Sequence, residues 1–188
     1  LALATLMAAR GGRYQICGPN AFNRYGFDAQ MPNRVYAYNN RISGDRTIGS
    51  VYLTLIKVAD RRLGAAETTR TADGLVGRYS SRVRTLVDAV YDWSRFNGLP
   101  RGFRWIRREL KAQRVSAADL VATTLRYGDK GTIRRMGALL ERMVVEPRLL
   151  RRLEGALPAS RGLIPWIPTQ PKRGPSNRRW GVIMNGEA

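Results

Sequence analysis

At Ser81 the apolar pattern of this 188-residue chain changes period. Before it, short apolar runs alternate with turn residues. After it, Val83, Leu86, Val87, Val90 and Trp93 or Ser94 recur at i, i+3, i+4 and i+7, the spacing that lays one apolar stripe along a helix. A helix with such a stripe must bury it, so the chain cannot be a string of independent helices. Strands gathered first and helices afterwards give an α+β fold rather than a βαβ repeat. The expected architecture is a small N-terminal mixed sheet with short helices, then a helical bundle, closed by a C-terminal strand. The corresponding division is a β-rich part over 1–80, a helical part over 81–156, and a Pro-rich basic tail with the closing strand over 157–188.

The local signals fill in this outline. Tyr14 to Cys17 is a short strand, and Pro19 opens a helix that runs through Tyr25 and stops at Gly26. Val35 to Tyr38 and Val51 to Val58 are rich in β-branched and aromatic residues, as strands are. Asn39-Asn40 and Gly44-Asp45 between them are turn chemistry, and Gly74 to Tyr79 is a further strand. The first long helix spans roughly four turns and is broken by Gly98-Leu99-Pro100. A second runs from about Arg101 to Gln113 with Phe103, Ile106 and Leu110 inward. Ser116 and Asp119 form a capping box that starts a third, ending at Gly128. A fourth covers about Lys130 to Val145, and Pro147 opens a fifth to about Leu153. Five of the nine prolines fall between Leu157 and Pro175, which bars a helix there, and Trp180 to Met184 is the closing strand. The chain does not begin with Met, and Leu1 to Ala9 reads as the last turns of an amphipathic helix that begins upstream.

Charge is the second strong signal. The chain carries 33 Lys+Arg against 14 Asp+Glu, a formal net charge of +19, yet it is 44% hydrophobic, enough to fold. Only Lys57, Lys111, Lys130 and Lys172 are lysines, so an Arg-biased genome is a competing reading of part of the excess. The distribution is uneven: 20 basic and 7 acidic residues follow Ser94. In the second helix Arg101, Arg104, Arg107, Arg108, Lys111 and Arg114 recur mostly at spacings of three or four, with Glu109 the sole acid. Like charges at that spacing repel by a few tenths of a kcal/mol per pair, a penalty that a polyanion would reverse. A second group is Arg142, Arg148, Arg151 and Arg152. A third is Arg161, Lys172, Arg173, Arg178 and Arg179, with no acid between Gly155 and Gly186. From these groups the candidate nucleic-acid contacts are Arg104, Arg107, Arg108, Arg148, Arg151, Arg152, Arg173, Arg178 and Arg179. The competing reading is a solvated basic face and a basic connector. Phe103, Trp105, Trp166 and Trp180 lie near these groups. Exposed, they would stack on unpaired bases, which is the basis of an alternative function as an RNA- or single-strand-binding module; buried, they fill a core.

Zero histidines and one cysteine exclude Ser-His-Asp and Cys-His nucleophiles, HExxH helices and ordinary zinc sites. Cys17 has no partner for a disulfide, which fits a reducing cytoplasm. Glu109-Leu110-Lys111 has the E-x-K spelling of some nucleases but falls inside a helix. Gly49-Ser50 has no D-x-D after it, and no phosphate-binding Gly-rich loop is present. Asp88 and Asp92 stand one turn apart, where Arg84 and Arg95 are better partners than a cation. No catalytic residue, cofactor or metal is expected.

The segment from Tyr14-Gln-Ile-Cys-Gly-Pro-Asn-Ala-Phe-Asn-Arg-Tyr-Gly26 through Gln30-Met-Pro32 to Val35-Tyr-Ala-Tyr38 resembles the opening of the C-terminal domain of AbiEi-type antitoxins. Arg84-Thr-Leu-Val-Asp88 and Arg134-Arg-Met-Gly-Ala-Leu-Leu-Glu141 are similar to two helices of that family, and Trp180 to Asn185 to its terminal strand. The resemblance covers most of the chain, in order. It implies a non-enzymatic antitoxin of a type IV toxin–antitoxin, or abortive-infection, system. The partner would be a nucleotidyltransferase-like toxin, and the antitoxin would also bind operator DNA and regulate its own operon. In that family a winged helix-turn-helix precedes this segment; here it is expected to be absent or to lie outside this sequence. Arg84 with Asp88, and Arg134 or Arg135 with Glu141 or Asp88, are expected as framework ion pairs, and Gly137 as the point of a close helix approach.

Overall fold

A computed structural model of the chain describes residues 2–70, 74, 76–159 and 162–186. The fold is α+β, and the chain divides into two compact units, Leu1–Thr85 and Leu86–Ala188.

The first unit is built on a six-stranded sheet in the order β3-β4-β2-β1-β6-β5. Its strands are β1 (Tyr14–Ile16), β2 (Val35–Asn39), β3 (Gly44–Ile48), β4 (Val51–Lys57), β5 (Ala66–Arg70) and β6 (Val76–Ser80). It is a mixed sheet: β2 runs parallel to β4 and β1 parallel to β6, and the other neighbours are antiparallel. The register pairs Val35 with Leu53, and Ala37 with both Leu55 and Ile16, so residues two apart fall in apolar rows on one face. Leu3 and Met7 of α1 (Ala2–Ala8) close over those rows to make the core. The amphipathic reading of that first segment therefore holds. Helix α2 (Gly18–Arg24) starts with Pro19 in its first turn and ends at Gly26, whose φ of +68° is left-handed.

Two expectations change here, and one strand, β5, is not among those expected. Gly44-Asp45 is not a turn but the start of β3, which pairs with β4 along its whole length. Strand β5 carries no apolar alternation, and its neighbour β6 ends at Ser80; Leu75, part of the expected strand, lies outside the described residues. The first long helix is α3 (Arg82–Tyr91), a shorter element than expected, followed by α4 (Trp93–Phe96).

The second unit comprises α4, α5 (Arg101–Lys111), α6 (Ala117–Tyr127), α7 (Lys130–Arg142) and α8 (Pro147–Gly155), with the last part of α3. Ser116 caps α6 as its sequence predicts: Asp119 N–H donates to Ser116 Oγ at 3.0 Å. Asp129 caps α7, accepting from Thr132 N–H at 2.7 Å. Leu120, Met136, Leu139, Leu140 and Leu153 are buried between these helices. The closing strand is short. A three-stranded sheet, β7 (Ile164–Pro165), β9 (Val182–Ile183) and β8 (Ser176–Asn177), gathers the Pro-rich tail.

Candidate nucleic-acid interface

The basic groups of the second unit are sorted by what their few acids do. Glu109 is not an outlying acid on a basic face. It is buried, and Arg114 clasps it through Nε at 3.0 Å and Nη2 at 2.8 Å. Glu141 and Glu154 both hold Arg179, at 2.8 and 2.9 Å. Asp119 and Asp129 are spent on helix caps, and Glu146 pairs with Arg148 at 2.6 Å. Each described acid of this unit outside α3 and α4 is thus tied to a local partner. Arg104, Arg151, Arg152, Arg173 and Arg178 stand exposed around them.

The nine candidate contacts separate accordingly. Arg104 and Arg108 lie on the exposed side of α5, away from buried Phe103 and Ile106, but Arg108 Nε already reaches Glu109 Oε1 at 3.4 Å. Arg107 is half-buried, and its basicity is lowered first by that burial and then by the charge of Arg142. Arg151 and Arg152 are exposed on α8, whose Leu149, Leu150 and Leu153 turn inward. Arg173 and Arg178 flank β8 and are exposed, whereas Arg179 is only about a third exposed and braces α7 to α8 through Glu141 and Glu154. Arg179 is a framework residue, and Arg148 already has Glu146. Arg161 lies outside the described residues.

The aromatic candidates are core. Trp166 and Trp180 are fully buried, Phe103 stacks on Trp166 at 4.0 Å between centroids with 14° between planes, and Trp105 is 7% exposed. Their burial withdraws them from stacking on bases.

Of the expected framework ion pairs, those of Arg134 and Arg135 with Glu141 change partners. Arg134 Nε donates to Trp180 O at 2.8 Å, and its Nη2 donates to the carbonyls of Gly162 and Gly181. Arg135 Nε reaches Pro165 O at 3.2 Å, and burial brings its pKa down to about 10. Both arginines therefore anchor tail backbone rather than Glu141, which takes Arg179 and the Asn177 amide instead. Arg84 is fully buried, with Nη1 donating to the carbonyls of Arg62 and Gly64. At Gly137 the close approach is real, but what approaches is the Trp180 indole and not a helix. Sequence spacing held no signal for these carbonyl contacts, because all of them close loops of 20 residues or more.

Among the described residues no group of three His, Cys, Asp or Glu is arranged to hold a metal ion. No helix among them is long and apolar enough to cross a membrane.

No protein-family model matches the chain, and no curated protein matches it. Among solved structures, the crystal structure of the RV2827C protein from Mycobacterium tuberculosis is similar, with a TM-score of 0.53 and 14% sequence identity over 90% of this chain. The chain spans 61% of that protein's length. At that identity the likeness is one of fold: the α+β arrangement of this chain is also that of the RV2827C protein.

Proposed function

We propose that the chain is a non-enzymatic regulatory module of the AbiEi antitoxin type, which opposes a nucleotidyltransferase-like toxin and contributes phosphate contacts to DNA binding at its operon. The observation that supports this best is the sorting of charge in the second unit. Its described acids beyond α4 are engaged by caps and ion pairs while Arg104, Arg151, Arg152, Arg173 and Arg178 remain exposed. Such a surface attracts a polyanion without reading sequence, because phosphate contacts position a duplex and base-edge contacts specify it. The ordered resemblance to the antitoxin domain supports the regulatory side of the reading. Burial of the tryptophans disfavours single-strand stacking as the alternative.

The test is duplex binding followed through a salt titration. Affinity should fall by orders of magnitude between about 50 and 200 mM salt. No binding at the low end would remove the DNA part of the reading. The antitoxin part is tested by co-expression with a nucleotidyltransferase-like toxin, where relief of growth arrest is expected.

A further inference from the structure

A groove of about 530 Å³ opens where the C-terminal ends of α5 and α7 meet the start of α6. Its wall is formed by Leu110, Val115, Ala117, Met143 and Val145, with Lys111 as the cation in the lining. The size is that of a ligand cleft, for which about 300–1,000 Å³ is usual.

The two helix ends beside it share an unusual feature. Each closes with a pair of hydrogen bonds around a left-handed residue. On α5, Arg114 N–H donates to Glu109 O and Gln113 N–H to Leu110 O; on α7, Val145 N–H donates to Leu140 O and Val144 N–H to Glu141 O. Glycine is the residue that fits the central position of this motif, and α2 uses Gly26 in that way. Here the positions hold Gln113 and Val144, both with φ of +55°. Val144 is the harder to explain: a β-branched residue in this conformation is strained, and its side chain is 88% exposed, so packing does not compensate it. It stands in sequence between two residues that line the groove.

The surroundings are cationic. Arg107 stands one helical turn before Lys111, and the Arg142 charge acts on Arg107. Of the nearby acids, Asp119 accepts from Ser116 Oγ and Glu146 is held by Arg148. An apolar floor does not suit a phosphate backbone, and a second copy would bring another strongly basic chain to a basic rim.

We infer that this groove docks an amphipathic helix of a partner protein, with apolar residues against Met143, Val145 and exposed Val144, and with acidic residues opposite Lys111, Arg107 and Arg142. Helix-in-groove recognition reads apolar anchors at helical spacing, and the cations on the rim fix orientation and exclude basic helices. The strain at Val144 is kept because the exposed isopropyl group serves the partner and not the fold.

The probe is a short labelled synthetic helix with Leu at helical spacing and Glu on its flanks, titrated by fluorescence anisotropy against the full chain. A second peptide with Lys in place of Glu is the control. The acidic helix should bind saturably and the basic one should not. Val144→Gly should weaken binding by at least about fivefold while raising the thermal midpoint, an opposition that loss of folding cannot produce. Lys111→Glu should weaken the acidic helix likewise. Absence of saturable binding, equal binding of the two peptides, or unchanged affinity in Val144→Gly would overturn the inference. So would duplex DNA whose affinity falls with Val144→Gly, which would assign the groove to nucleic acid. Duplex affinity that Val144→Gly leaves unchanged upholds the inference and keeps it distinct from the phosphate contacts of the exposed arginines.

Discussion

The indole of Trp180 rests on Gly137, so closely that a Cβ at residue 137 would overlap ring atoms Cδ2, Cε3 and Cζ3. Both residues are in the second unit, and Trp180 is fully buried. An Ala would ordinarily favour a helix interior by about 1 kcal/mol over Gly. Here the overlap reverses the sign, and Gly137→Ala is expected to cost about 3 kcal/mol. A double-mutant cycle in urea with Trp180→Leu checks the cause, since Gly137→Ala should cost far less once the ring is gone. Equal costs in both backgrounds would count against the contact.

Arg134 makes a second prediction. It is 8% exposed, and the carbonyls of Gly162, Trp180 and Gly181 converge on it. Arg134→Met keeps most of the apolar stem but takes the guanidinium donor from three carbonyls, of which Gly181 O retains the Ile164 N–H. The expected loss is about 3 kcal/mol or more, and hydrogen exchange should show it first at the amides of Ile164 and Trp166, which pair with Gly181 O and Ile183 O. Arg134→Lys should restore only part of it, because a single ammonium lacks the planar fork.

Glu141 predicts an acid response. Burial pushes its carboxyl up, but the Asn177 amide and the Arg179 guanidinium outweigh that and hold it below the usual range of about 4.5. A carboxylate whose folded pKa is depressed contributes stability that is present above its unfolded value and is lost as pH falls through the folded value. Glu141→Gln should therefore lower the urea midpoint at neutral pH and flatten its decline below about pH 4.5. A decline identical to that of the parent chain would assign the acid response elsewhere.

Arg151 and Arg152 test the interface through its salt dependence. If each contacts one phosphate, removing both as Ala should reduce the slope of log affinity against log salt by about 0.9 per contact. The weakening should be nearly uniform over unrelated duplexes. Arg179→Ala should instead destabilise the fold, because it leaves Glu141 and Glu154 without their shared cation.

What the sequence made legible follows from which forces are local. Ser116 with Asp119, Pro19 and Gly26 act within one turn, and all three stand where their chemistry demands. The rows Val35 and Ala37, and Leu53 and Leu55, announce a half-buried sheet through their spacing alone. Gly44-Asp45 deceived, and Ala66–Arg70 gave no strand signal, because an edge strand that is largely exposed needs no apolar alternation. Backbone pairing with β4 and β6 decides their conformation. For the candidate site, helix periodicity was enough to place Arg104 and Arg108 outward. It could not show that Glu109 turns in to Arg114, or that Arg134, Arg135 and Arg179 serve the tail. Those choices depend on residues up to 47 positions away. The groove was equally hidden, since its marks in the sequence are a glutamine and a valine where helix ends prefer glycine.

The two outer strands of the sheet have a further consequence. All five residues of β3 are exposed, with Asp45 and Arg46 among them, and β5 presents Glu67 and Arg70. An open sheet margin is a template for another chain, and charged side chains along it oppose that pairing. The polar composition that disguised these strands thus guards the sheet at both ends against edge-to-edge aggregation.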